Sequence, residues 1–154
     1  MASASASTAG TGSSALASEY VLEHHIGFLL RRAHQRHASI FNERLADLDL
    51  TPTQFAALIK TVQLGHVTQN HLGRLTAMDP ATIQGVVRRL TERGFIRREI
   101  DPLDRRSAVL SPTAEAIAAV AGAIPAVRAV ADLILAPLTP AERTELARLL
   151  GKIG

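Results

Sequence analysis

Three stretches that open a helical pattern place a capping residue directly before a proline: Thr51-Pro52, Asp79-Pro80 and Thr139-Pro140. A Thr or Asp oxygen accepts from the N–H groups that the first helical turn leaves orphaned. Proline suits the next position, where an N–H would have no partner. Gln54 and Glu142 stand where a capping box needs them. Three helix starts are thereby fixed, and the rest of the chain must fit between them. Thr68 and Thr113 are two further candidate caps.

Hydrophobic spacing fills the intervals. From Ser18 to about Leu48, apolar residues recur at steps of three and four, with Ile26, Leu30, Ala33, His37, Phe41, Arg44 and Leu48 on one stripe. The spacing predicts one helix of about 30 residues, long enough at ~1.5 Å per residue to need a partner subunit to pack against. The helix after Thr51 carries Phe55, Leu58, Ile59 and Val62 and stops near Gly65. A short helix after Thr68 is expected to bury Leu72 and Leu75. The helix after Asp79 buries Ile83, Val86, Val87 and Leu90 and stops at Gly94. Phe95–Asp101 and Ser107–Leu110 read as two strands joined by a turn. A long Ala-rich helix follows Thr113, with Ile117, Val120, Ile124, Val127, Ala131 and Ile134 at helical spacing as its apolar face and Pro125 expected to kink it. The last helix is expected to bury Leu146, Leu149 and Leu150 and to end at Gly151.

Composition bounds the function. The 154 residues hold 17 Lys and Arg, 14 Asp and Glu, 6 His and no Cys, a length that suits one domain. Without Cys there is no disulfide, thiolate metal site, thiol nucleophile or thiol switch. No stretch reads as apolar enough to span a membrane. Residues 1–18 are almost wholly Ala, Ser, Thr and Gly and are expected to be a disordered tail. With no secretory signal, a cytoplasmic location is expected. No phosphate loop, dinucleotide fingerprint, nucleophile elbow or paired-acid cluster is present, so an enzyme is not expected. From Arg88 to Arg106, seven Arg face four acids, the local charge of a polyanion footprint or of a solvated face.

The element order is long helix, helix, short helix, helix, hairpin, long helix, helix. It predicts a mainly α protein with a small β-hairpin wing: a winged helix-turn-helix with long N- and C-terminal dimerisation helices. The domain spans 19–154, with dimerisation helices at 19–48 and 113–154 and a DNA-binding lobe at 51–112. Thr82, Gln84 and Arg88 project from the fourth helix toward the major groove. Gly85 reads either as close approach to DNA or as close packing against the third helix. Arg89 either reaches phosphate or is solvated. Thr68 and Gln69 stand at a helix N-terminus, where a phosphate or simple capping fits. Arg97 and Arg98 add salt-sensitive affinity.

Leu50-Thr51-Pro52-Thr53-Gln54-Phe55, Gln69-Asn70-His71-Leu72, Asp79–Gly94 and Asp101-Pro102-Leu103-Asp104-Arg105-Arg106-Ser107 together resemble the MarR family of regulators, over about Glu19 to Ile153. His71 and Ala114-Glu115-Ala116 depart from the family pattern. The resemblance implies that Arg106 enters the minor groove, held by Asp104, with Arg105 nearer the backbone. It implies a homodimer on double-stranded operator DNA and a repressor released by a small molecule. The cationic segment from Gly27 to His37 resembles that of MarR-type repressors of aromatic-acid catabolism. The effector then expected is a small aromatic carboxylate, met by Arg31, His34 and His37 and walled by Phe28, Phe41 and Phe55. His37 reads equally as a core histidine, and Arg31 as a surface residue. His34 and His37 would make half a zinc site, so a metal-responsive regulator is an alternative; a DNA-binding protein without effector is another. No cofactor is implied.

Overall fold

The computed structural model describes residues 20–100 and 108–154. The expected tail and the wing residues Asp104, Arg105 and Arg106 lie outside the described residues. All five caps form. Thr51 Oγ1 accepts from Gln54 N at 3.2 Å, while Gln54 Oε1 accepts from Thr51 N at 3.1 Å. Thr68 accepts from His71 N, Thr113 from Ala116 N, and Thr139 from Glu142 N. Asp79 accepts from Ala81 N and Thr82 N.

The described residues form helices α1 (Ile26–Arg44), α2 (Pro52–Leu64), α3 (Gln69–Leu75), α4 (Pro80–Glu92), α5 (Ala114–Leu135) and α6 (Pro140–Ile153). The strands are β1 (Val67–Thr68), β2 (Ile96–Ile100) and β3 (Ala108–Pro112). The chain divides into two compact units, one ending at Arg36 and one starting at His37.

In the first unit, Leu22–His24 is a single 3₁₀ turn, and His25 is extended before α1 begins. This corrects the unbroken helix from Ser18 to Leu48. At its other end Leu45 leaves helical geometry, and a second 3₁₀ turn, Ala46–Leu48, follows. The helix between them has 19 residues, about 28 Å at ~1.5 Å per residue. Tyr20, Val21, Leu22, Ile26, Leu29 and Leu30 are exposed. The apolar spacing was legible in the sequence, and its first residues are exposed.

The core of the second unit gathers residues from α1 to α5, with Leu58, Leu72, Leu90 and Leu110 fully buried. Its sheet has the order β1-β3-β2, all antiparallel. Leu110 in the middle strand faces Val67 on one side and Arg98 on the other. The two-residue β1 was not expected, because so short a strand carries no alternation to read.

Four expectations about this unit need correction. Leu75 is 42% exposed, because α3 ends there and only Leu72 and Gly73 are buried on it. In α5 the buried residues are Ala116, Val120, Ala123 and Val130, while Ile117 is exposed. No residue of α6 is buried, and the helix runs past Gly151 to Ile153. By length and composition alone α5 is apolar enough to cross a membrane, although no unbroken run of 18 apolar residues occurs in it. Arg128 and Asp132 on it are exposed, and the helix runs through Pro125 without a break.

Candidate nucleic-acid interface

The pair α3 and α4 is joined by a turn in which Ala77 adopts a left-handed conformation (φ 52°). Met78 N donates to Gly73 O at 2.9 Å, closing it. A Cβ at Gly73 would stand 3.3 Å from Ile83 Cγ2 and 3.3 Å from Met78 O, so glycine lets the two helices meet. Sequence reading missed Gly73 because a single glycine inside a helical pattern carries no sign of what faces it.

One face of α4 is the core: Ile83, Val86, Val87 and Leu90 are all buried. The other is open, and Ala81, Thr82, Gln84, Gly85, Arg88 and Arg89 are exposed along it. A Cβ at Gly85 would meet nothing within 4 Å, so packing against α3 does not explain this glycine. Arg88 lies 3.9 Å from Glu92, with both side chains largely exposed, an ion pair that water and salt weaken. Gln84, Arg88 and Arg98 line one cleft of about 250 Å³ between α4 and β2. Arg97 is exposed beside Arg98 on β2. The fold thus gathers Gln84, Arg88 and Arg98 from two elements. Arg97, the neighbouring residue on β2, lies by Glu115 of α5 and, after hydrogen bonding from that residue's own N–H, helps to hold its carboxyl below the ordinary value.

Thr82 is engaged differently. Its hydroxyl donates to Asp79 Oδ2, and its N–H donates to Asp79 Oδ1 at 3.0 Å. These bonds, the hydroxyl's first, hold the Asp79 carboxyl below its ordinary value of 3.8. A negative Asp79 thus fills the N-terminus of α4, where a phosphate would otherwise find free N–H groups. Thr68 uses its side chain to cap α3, and Gln69 is the first residue of that helix. Arg89 borders a separate cavity of about 370 Å³ with Asn42, Asp49, Thr51 and Gln54.

The residues expected to meet an effector fall in both units. In the first, the Arg31 guanidinium lies 5.8 Å from the Phe28 ring centre, and His34 is exposed. In the second, Phe41 and Phe55 are buried with ring centres 5.7 Å apart, and half-buried His37 lies 6.1 Å from Phe41. Phe41 and Phe55 are therefore core residues of that unit. Among the described residues, no three His, Asp or Glu side chains are grouped to hold a metal.

Sequence comparison matches residues 48–107 to the MarR family. The HTH-type transcriptional repressor NicR of Pseudomonas putida is 36% identical over 87% of this chain and 85% of its own length. Among solved structures, a probable transcriptional regulator from Pseudomonas aeruginosa is 43% identical, with a TM-score of 0.83 over 87% of this chain and all of that one. BpsR of Bordetella bronchiseptica, whose DNA binding is regulated by 6-hydroxynicotinic acid, is 34% identical, with a TM-score of 0.81 over 87% of this chain and 96% of its own.

Proposed function

The chain belongs to the MarR family of transcriptional regulators, and on that premise we propose a homodimeric repressor that a small aromatic carboxylate releases from a pseudo-palindromic operator. The observation that carries the reading is the open face of α4. It presents Gln84, an unfilled Gly85 and Arg88, with Arg98 in the same cleft. Gln pairs in two-bonded fashion with adenine and Arg with guanine, each pair worth roughly 1–3 kcal/mol of discrimination. Arg89, Arg97 and the N-terminus of α3 at Thr68 and Gln69 are assigned to the phosphate backbone. The family resemblance of the wing assigns Arg106, oriented by Asp104, to the minor groove and Arg105 to the backbone.

Dimerisation is proposed for residues 19–48 and 113–154, flanking the DNA-binding lobe at 51–112, with residues 1–18 as a tail. The support is apolar surface that is exposed among the described residues. On α6, Leu146, Leu149, Leu150 and Ile153 form one helical stripe and are 36–70% exposed. Two recognition helices would then enter successive major grooves about 34–36 Å apart. An aromatic acid is the effector class favoured by BpsR and by the guanidinium of Arg31 with the imidazoles of His34 and His37. A soluble, cytoplasmic, non-enzymatic regulator follows from the same reading.

Fluorescence anisotropy on the DNA upstream of the protein's own gene, at two salt concentrations, tests it. Hydroxybenzoates, hydroxycinnamates and pyridine carboxylates are then added to the complex. Release by one class of acid, and loss of binding in Arg106→Ala without loss of fold, are the expected results. A complex that no acid dissolves removes the effector class. Failure to enrich any sequence from a genomic fragment library removes the operator reading itself.

A further inference from the structure

Arg93 is the C-cap of α4, yet its side chain leaves the helix altogether. Nη1 donates to the carbonyl oxygen of Asp49 and, at 3.1 Å, to Asp49 Oδ2. Nη2 donates to the carbonyl oxygen of Leu48 at 3.0 Å. The guanidinium carbon sits 5.3 Å from the centre of the Phe95 ring, and the side chain is 28% exposed. All three acceptors belong to the turn between α1 and α2, more than 40 residues away. Asp49 holds a left-handed conformation there (φ 47°), strained for a residue with a Cβ, and so gains from being fastened.

The next residue is fastened too. Thr113 donates its hydroxyl to Gly94 O at 2.8 Å, and its N–H to Phe95 O at 3.0 Å. Thr113 is buried and caps α5. The end of α4 is thus tied on one side to the α1–α2 turn and on the other to the start of α5. At its beginning, Asp79 bonds to Ala81, Thr82 and Ile83, all within its own helix.

We propose that Arg93 is a positioning residue for DNA reading: it sets the direction of α4 by locking its last turn to the α1–α2 turn, without touching DNA itself. The inference rests on α4 being the helix that reads DNA. The alternative is one more phosphate-binding arginine of the basic block, but its three acceptors and its burial leave little of the guanidinium to offer. The planar fork of arginine reaches two carbonyls and a carboxylate at once, which the point charge of lysine cannot reproduce.

The test compares two duplexes of equal length: one selected by the wild-type protein from a random-sequence pool, and a scrambled version. Arg93→Lys and Arg93→Gln are measured where circular dichroism shows them folded. Asp49→Asn removes one acceptor charge at a side chain that is 89% exposed, and leaves the fold intact. Affinity for the selected duplex is expected to fall about ten-fold in the Arg93 variants and about three-fold in Asp49→Asn. Affinity for the scrambled duplex is expected to stay within about two-fold, and the salt slope unchanged. Parallel loss on both duplexes with a shallower salt slope would make Arg93 a phosphate contact. Unchanged affinity in Asp49→Asn and in whichever Arg93 variant folds also overturns the proposal. If the wild-type protein selects no sequence, the DNA-reading role of α4 fails first and takes this inference with it.

Discussion

Gly73 and Ile83 touch so closely that a side chain on the glycine would stand 3.3 Å from Ile83 Cγ2, with the carbonyl of Met78 equally near. One obstacle is backbone and the other a buried β-branched side chain, so neither moves freely. Gly73→Ala is expected to destabilise the protein by about 1–3 kcal/mol through overpacking. Urea unfolding followed by circular dichroism measures it, and a midpoint equal to wild type would mean that the α3–α4 contact is looser than described.

Gly85 should behave in the opposite way. Nothing lies within 4 Å of the position a Cβ would take. Alanine there is expected to stabilise α4 by about 0.5–1 kcal/mol while weakening specific DNA binding, since on the proposed reading DNA approaches through that open space. A variant that is more stable and binds DNA as well as wild type would remove Gly85 from the interface.

Asp79 makes the stability of α4 sensitive to acid. Its carboxyl is held below 3.8 by the Thr82 hydroxyl first and by backbone N–H groups next. A group with a lowered folded-state pKa stabilises fully above its unfolded value. The benefit is lost as pH falls below about 3.8 and through the folded value. Asp79→Asn keeps a capping oxygen but no charge. Thermal unfolding should therefore show wild type ahead at pH 6, with the gap closing below pH 3.8. A gap that does not change with pH would assign the effect to hydrogen bonding alone.

Leu150 is 42% exposed in the middle of the α6 stripe. If that stripe meets a second copy, Leu150→Glu buries a charge against it. Sedimentation should then show the half-mass species at micromolar concentration, with helical content retained. An unchanged dimer would move the interface off α6.

Much of the fold was legible where its cause is local. A cap is decided by residues two or three apart, and Thr51, Thr68, Asp79, Thr113 and Thr139 all act as their spacing suggests. The two faces of α4 were also readable, because one helix with four buried aliphatics leaves little choice for the rest. What periodicity does not tell is what covers an apolar face. The stripe on α6 is real in the sequence, yet Leu146, Leu149, Leu150 and Ile153 are exposed among the described residues, as are Ile26, Leu29 and Leu30 on α1. Arg93 was visible only as one charge among seven, since its partners lie 44 and 45 residues earlier. The wing residues Asp104, Arg105 and Arg106 lie outside the described residues, so their role rests on resemblance.

The order β1-β3-β2 places the strand before α3 and the strand after α4 on either side of a third that comes later in the chain. β3 is the clasp for both ends of the helix-turn-helix, through Val67↔Leu110 on one edge and Arg98↔Leu110 on the other. A nascent chain that has emerged from the ribosome only as far as Glu92 has both helices and nothing to close them with. The helix-turn-helix and its sheet can complete their assembly only after Pro112 has left the exit tunnel, so synthesis itself delays the moment at which a new copy is fully folded.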